Sequence, residues 1–292
     1  VDGQAPAEQA RPGVDPGLIE AFARARKAMV ESNLERYDQA VAKIPRSHPL
    51  QRYVEYWRLR ILLSERRPES ASGEADGAVR GFIARYPESL VADLLRRDWM
   101  LALGRREDWR GFDEQYPRWQ LRDETGPDCY AQLSRLATGK VDRAAALDLV
   151  MRPVGLNRPC RALFAGLADA GVLNKSHFRK RLFLALEAND AGDIRDAAAL
   201  GGLALQGPAI DTALRKPAQT FKRPEAGDLA LIALIRLIRS DVDQGAKRLE
   251  SLAARLGPAE RNFAWSQLAA AGARRMMPEA HGWMVKAHAA QG

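Results

Sequence analysis

The sequence is poor in the residues that chemistry usually requires. Among 292 residues there are two cysteines and four histidines. The cysteines form no CxxC pair. His48 and His177 stand alone, while His281 and His288, seven apart, have no acidic or cysteine partner at ligand spacing, so no metal site is expected. HExxH, GxGxxG, phosphate-binding-loop and GxSxG patterns are all missing, which removes the usual support for hydrolase and nucleotide-binding readings and implies no cofactor. Threonine and the other β-branched residues are sparse, so no sheet is expected. Long apolar runs are missing too. The nearest is LALIALIRLI, Leu229 to Ile238, which is shorter than the roughly 18 to 20 residues of a membrane span and carries Arg236. It reads as a buried helix, and no transmembrane segment is expected.

Alanine, leucine and arginine dominate instead, and 46% of residues are hydrophobic, enough for one large or two ordinary all-α domains. Residues 1–15 are polar, spotted with proline and unpatterned. They read as a flexible leader of the kind found on a mature exported protein after signal-peptide removal. From residue 16 to 292 helices follow one another. Pro16 opens a helix with Leu18, Phe22, Ala25 and Met29 on one face, Asn33 starts a second, and Leu50, Val54, Trp57 and Ile61 mark a third. RRPESASGEADG reads as a loop. Ser89 then caps LVADLLRRDWMLALG, in which Leu90, Leu94, Trp99, Leu101 and Leu103 form a broad apolar face. Asp142, Asn157, Asp241, Pro258 and Pro278 mark later starts, giving roughly 15 helices. TGKVDRAAAL (138–147) and AGDIRDAAAL (191–200) share a turn-then-helix pattern. Gly104 and Gly139 lie one tetratricopeptide-like unit apart, whereas Gly139 and Gly192 lie further apart, so the repeat reads as irregular.

The formal charge of +8 raises the question of nucleic acid. The cations are not clustered, however: arginines come in twos (66–67, 96–97, 105–106, 274–275) beside acidic residues or at helix ends, and only FRKR at 178–181 is a compact basic run. A solvated helical surface explains this better than a phosphate-binding groove.

Cys129 and Cys160 have two readings: in a reducing compartment they are buried thiols, and in an oxidising one they form a staple. Closing a loop of that size would stabilise the fold by about 3 to 4 kcal/mol in the chain-entropy model. The carboxylates Glu107, Asp108, Asp123 and Glu124 sit at helix starts, where they complement the macrodipole. Glu69-Ser70 and Glu88-Ser89 lack the apolar pocket that raises the pKa of a catalytic acid. Most tryptophans lie on apolar helix faces. Trp119, in YPRWQLRDETG, does not, and with Tyr116 it is the candidate sugar-stacking surface.

RYPESLVADLLRRDWMLALGRREDW, the following YP, the cysteines in PDCYAQLSRLATG and NRPCRALFAGLADAG, and the upstream HPLQRYVEYWRL together resemble the N-terminal superhelical region of the soluble lytic murein transglycosylases. The resemblance is sharpest between residues 46 and 172. It implies a periplasmic, right-handed α-superhelix of antiparallel helix pairs that curls into a ring, with Cys129 and Cys160 bridging neighbouring helices. In that family a linker and a lysozyme-like domain follow, whose glutamic acid cleaves the bond between N-acetylmuramic acid and N-acetylglucosamine to a 1,6-anhydro product. The glutamate-serine element of that domain is absent here, so no catalytic residue carries over. The expectation is therefore a non-catalytic scaffold that ends before the linker and catalytic domains, with peptidoglycan glycan strands and the missing catalytic domain as partners. The alternative is a stand-alone tetratricopeptide-like adaptor for a partner peptide.

Overall fold

The computed structural model describes residues 15–64, 72–201, 207–221 and 227–289. These hold 17 α-helices and two short 3-10 helices, and no strand occurs among them. The all-α expectation holds, with two more helices than the punctuation indicated. None of the helices is long and apolar enough to cross a membrane. The chain divides into two compact units, Val1–Pro127 and Asp128–Gly292.

The first unit contains α1 (Pro16–Val30), α2 (Leu34–Val41), α3 (Gln51–Leu62), α4 (Ser72–Arg85), α5 (Leu90–Arg105) and α6 (Trp109–Gln115). Short polar side chains cap the starts: Asp15 accepts from the Gly17 amide, Asn33 from Arg36, Ser89 from Ala92 and Asp108 from Gly111. Each cap satisfies an amide that the first helical turn leaves without a partner. Two readings need correction. The stretch taken as a loop is helical from Ser72 onward, and its remainder lies outside the described residues. Tertiary bonding overrides the weak propensity of Gly73 and Gly77: Asp76 turns inward and accepts from Trp99 Nε1 at 2.7 Å and from Arg106. The buried face of α5 is also rotated. Leu90 is 55% exposed, while Val91, Ala92, Leu95, Trp99, Met100 and Leu103 form its core side.

The second unit is built from α7 (Gly126–Ala137), α8 (Arg143–Val150), α9 (Arg158–Asp169), α10 (Lys175–Ala188), α11 (Ala191–Leu200), α12 (Gly207–Arg215), α13 (Pro217–Thr220), α14 (Gly227–Ser240), α15 (Val242–Leu252), α16 (Pro258–Arg274) and α17 (Ala280–Ala289). Helix α14 is the central apolar element expected from LALIALIRLI: Leu231, Ile232, Ala233, Leu234, Ile235 and Ile238 are all buried. A single apolar core runs from Cys129 to Ala287.

Among the described residues six helices end in the same way. A left-handed residue at Ser32, Glu107, Gly139, Gly171, Asn189 or Met276 reverses the chain, and the next residue's amide bonds back to the carbonyl five positions earlier, at 2.8 to 3.1 Å. This is the Schellman ending, which uses carbonyls the last turn leaves open. Residues 107, 139 and 171 are spaced at equal intervals of 32. The equal spacing stops there, since the next left-handed endings fall at Asn189 and Met276, so the repeat is irregular, as expected. Gly104 and Gly192, used above to judge the period, lie inside α5 and α11 instead.

Candidate binding surfaces

The disulfide is present. Cys129 on α7 and Cys160 on α9 are bonded with Cα atoms 5.0 Å apart, 31 residues apart in sequence. Both are buried. The bridge therefore ties α7 to α9 across the intervening α8.

Tyr116 and Trp119 do not form an open stacking surface. Trp119 is 1% exposed, and the Arg122 guanidinium lies over both rings, 4.4 Å from the Tyr116 centroid and 5.1 Å from that of Trp119. A cation–π contact already fills the face a sugar would need. The side chain looked exposed in sequence because its neighbours are polar, but it is drawn inward where the chain folds back after α6: Asp93 on α5 accepts from the amides of Gln120 and Leu121.

Among the described residues Arg96, Arg97 and Arg181 are buried, which the sequence did not reveal. Arg181, from the FRKR run, is completely buried. It pairs with Asp193 of α11 and donates to the carbonyls of Val150, Arg152 and Val154, the last two at 2.9 and 2.7 Å. Burial pushes the Asp193 carboxyl up, and Arg181 pulls it back. The neighbouring Arg179 reaches Glu260 at 3.2 Å. In the first unit Arg97 holds Asp123 and Glu124 at 2.7 and 3.2 Å. Burial opposes its charge, but Asp98, Glu124 and Asp123 outweigh burial and raise its pKa. These pairs are fixed structure, so Asp123 and Glu124 are not free acids. Asp108 and Ser89 act as helix caps, as expected, while Glu69 and Ser70 lie outside the described residues.

Among the surface depressions formed by described residues, two in the first unit bear on the charge question. Between α1 and α2 lies a groove of about 480 Å³. Its floor is Ala21, Ala28 and Ala40, and its walls carry Arg24, Lys27, Arg36 and Lys43 against Glu20 and Glu31. The two glutamates already pair with Arg24 and Arg36, so the groove presents net positive charge above a small apolar floor. A second depression, of about 600 Å³, opens at the start of α5 beside Ser89, Leu90, Arg96 and Arg118. Burial lowers the Arg96 pKa, Asp93 opposes this, and Arg118 adds to it. The groove between α1 and α2 suits an anionic group with an apolar attachment, whereas in the second depression Glu88 and Asp93 balance Arg96 and Arg118. Among the described residues no three histidine, cysteine, aspartate or glutamate side chains converge to hold a metal ion.

No protein-family model matches the sequence, and no curated protein matches it. Solved structures do. The chain is similar to the lytic transglycosylase Slt from Pseudomonas aeruginosa, solved as an inactive mutant, with 23% identity and a TM-score of 0.50 over 91% of this chain and 44% of that one. It is equally similar to the 70 kDa soluble lytic transglycosylase from Escherichia coli, with 21% identity and a TM-score of 0.50 over 94% of this chain and 45% of that one. The chain spans less than half the length of these proteins. At this identity the likeness is one of fold: the helical architecture of this chain is that of a region of the soluble lytic transglycosylases.

Proposed function

We propose that this chain is the non-catalytic superhelical scaffold of a periplasmic peptidoglycan lytic transglycosylase. The observation that carries the reading is the likeness to two such enzymes over more than nine-tenths of the chain. The disulfide supports an oxidising compartment, where such bonds persist. In this reading the helix pairs form a right-handed superhelix that positions glycan strands. The bond-cleaving glutamate belongs to a lysozyme-like domain outside these 292 residues, and the product of cleavage is the 1,6-anhydro sugar. Lysines and arginines along the α1–α2 groove would attract the carboxylates of the peptides that the glycan carries.

Co-sedimentation with purified peptidoglycan sacculi tests this. The expected result is binding that weakens as salt rises, since exposed charge pairs are screened over about 8 Å at physiological ionic strength. Failure to sediment at low salt would defeat the glycan reading. Binding indifferent to salt would defeat its electrostatic part, and two reactive thiols in protein recovered from an oxidising compartment would defeat the localisation.

A further inference from the structure

The second unit carries a concentration of cations that neither the core nor the cell-wall reading uses. Helices α10, α12, α14 and α16 end close together, and arginines serve the last carbonyls of α10, α12 and α14. Arg239 donates to Leu186 and Glu187 at 3.0 and 2.6 Å. Arg236 donates to Leu214 at 3.1 Å and to the Asn189 side chain. Arg275, just past α16, reaches the Arg239 carbonyl at 3.4 Å. Arg274 precedes it, and both lie exposed, with no carboxylate paired to either among the described residues.

The charge balance favours a positive surface. Each helix end contributes about half a negative charge, so these ends offset at most about two of the four guanidinium charges, and Glu187 offsets one more, leaving the patch positive by about one charge. Arg239 reports the remainder. Its pKa is lowered by burial, then by Arg274 and Arg236, with Glu187 opposing. Its Nε has no hydrogen-bond partner among the described residues. Helix-end bonding occupies Arg236 and Arg239, and Arg275 only through one long bond, and it leaves Arg274 unexplained.

The next residue supplies a second observation. Met276 is 90% exposed and held at φ 54°, a conformation that disfavours a side chain there. A large apolar side chain thus projects beside the arginines.

We propose that the exposed Arg274, Arg275 and Met276, with Arg236 and Arg239 adding positive charge behind them, form a docking surface for an acidic segment of a partner protein, one whose carboxylates meet the Arg274 and Arg275 guanidiniums and whose apolar side chain meets Met276. Fork-shaped guanidinium donors match carboxylates well. A nucleic acid fits less well, because the patch is compact rather than a stripe along a backbone and its apolar element is a methionine rather than a ring for base stacking. The proposal goes beyond the cell-wall reading and does not require it.

The test is fluorescence anisotropy on the full chain with a labelled peptide of alternating glutamate and leucine, at low and physiological salt. A lysine-leucine peptide and an oligothymidylate serve as comparisons. The proposal expects the acidic peptide to bind and R274E/R275E to weaken it at least about tenfold, as loss of charge complementarity does at interfaces. Thermal melting should stay unchanged, since both side chains are exposed. If the reversal perturbs folding, R274Q/R275Q is measured instead, with a smaller weakening expected. Met276→Ser is expected to weaken binding without altering its salt dependence. No binding by the parent chain, binding unchanged by either arginine double variant, or tighter binding of oligothymidylate through the same arginines would each overturn the proposal.

Discussion

The two units bury a similar polar-rich helical chain but hold it with different bonds. In the second, a disulfide and a sealed ion pair do much of the fixing: Cys129–Cys160 ties α7 to α9, and Arg181–Asp193 closes α10 and α11 onto the end of α8 with both side chains at zero exposure. The first unit, through Pro127, contains no cysteine. Its polar links are shared among more partners. Asp76 receives both Trp99 and Arg106, Arg97 is divided among Asp98, Asp123 and Glu124, and the Tyr37 hydroxyl donates to the Val54 carbonyl. Concentrated bonds in a dry interior make a unit sensitive to single changes and to reduction, whereas distributed, partly wet ones do not.

Four measurements would break or sharpen that contrast. The largest effect is expected from Asp193→Ala or Arg181→Met, each of which strands its buried partner. The expected loss is about 3 to 5 kcal/mol, seen by hydrogen exchange as lost protection in α8 to α11, with peptides of the first unit unchanged. Equal loss in both units would remove the distinction. Next, reducing the disulfide should cost about 3 to 4 kcal/mol for the loop it closes, read as a lower urea midpoint for the second unit. A reduced protein with the same midpoint would show that core packing alone holds α7 to α9.

Within the first unit, Trp99→Phe keeps most of the packing but removes the Asp76 bond. It should cost about 1 to 3 kcal/mol, and a larger loss than Asp193→Ala would reverse the ranking of the units. The smallest effect is predicted to be shared. Glu107→Gly in the first unit and Met276→Gly in the second both relieve a left-handed side chain and should stabilise by up to about 1 kcal/mol. A stability gain at one site alone would mean that the common turn is held differently in the two units.

The sequence showed clearly those features that rest on local physics. Asn33, Ser89, Asp142, Asn157 and Asp241 accept amide bonds at helix starts where their identity predicted it, because a capping bond involves only residues two or three positions apart. The apolar run of α14 was legible for a similar reason, since a helix buried on most sides needs no phase to be recognised. Phase was needed for α5, and there the leucines misled: Leu90 is exposed, and Arg96 and Arg97 are buried beside Trp99. The equally spaced turns at 107, 139 and 171 were not recognised because glycine was taken as their marker, while Schellman hydrogen bonding tolerates Glu107 at the same position. Trp119 was misplaced because polar neighbours do not reveal that Arg122 will cover the ring.

By itself, then, the sequence determined the all-helical class, most helix starts and the cysteine pair available for bonding, each a consequence of short-range hydrogen bonding or of composition. Only the tertiary structure decided which charges are surface and which are structural. Arg181 comes from the one compact basic run and Arg274 from a scattered arginine pair, yet it is Arg181 that is enclosed against Asp193 and three carbonyls while Arg274 stands exposed at a helix end. The difference lies in partners at the ends of other helices, and the energy of a charge depends on those partners and on the water around it.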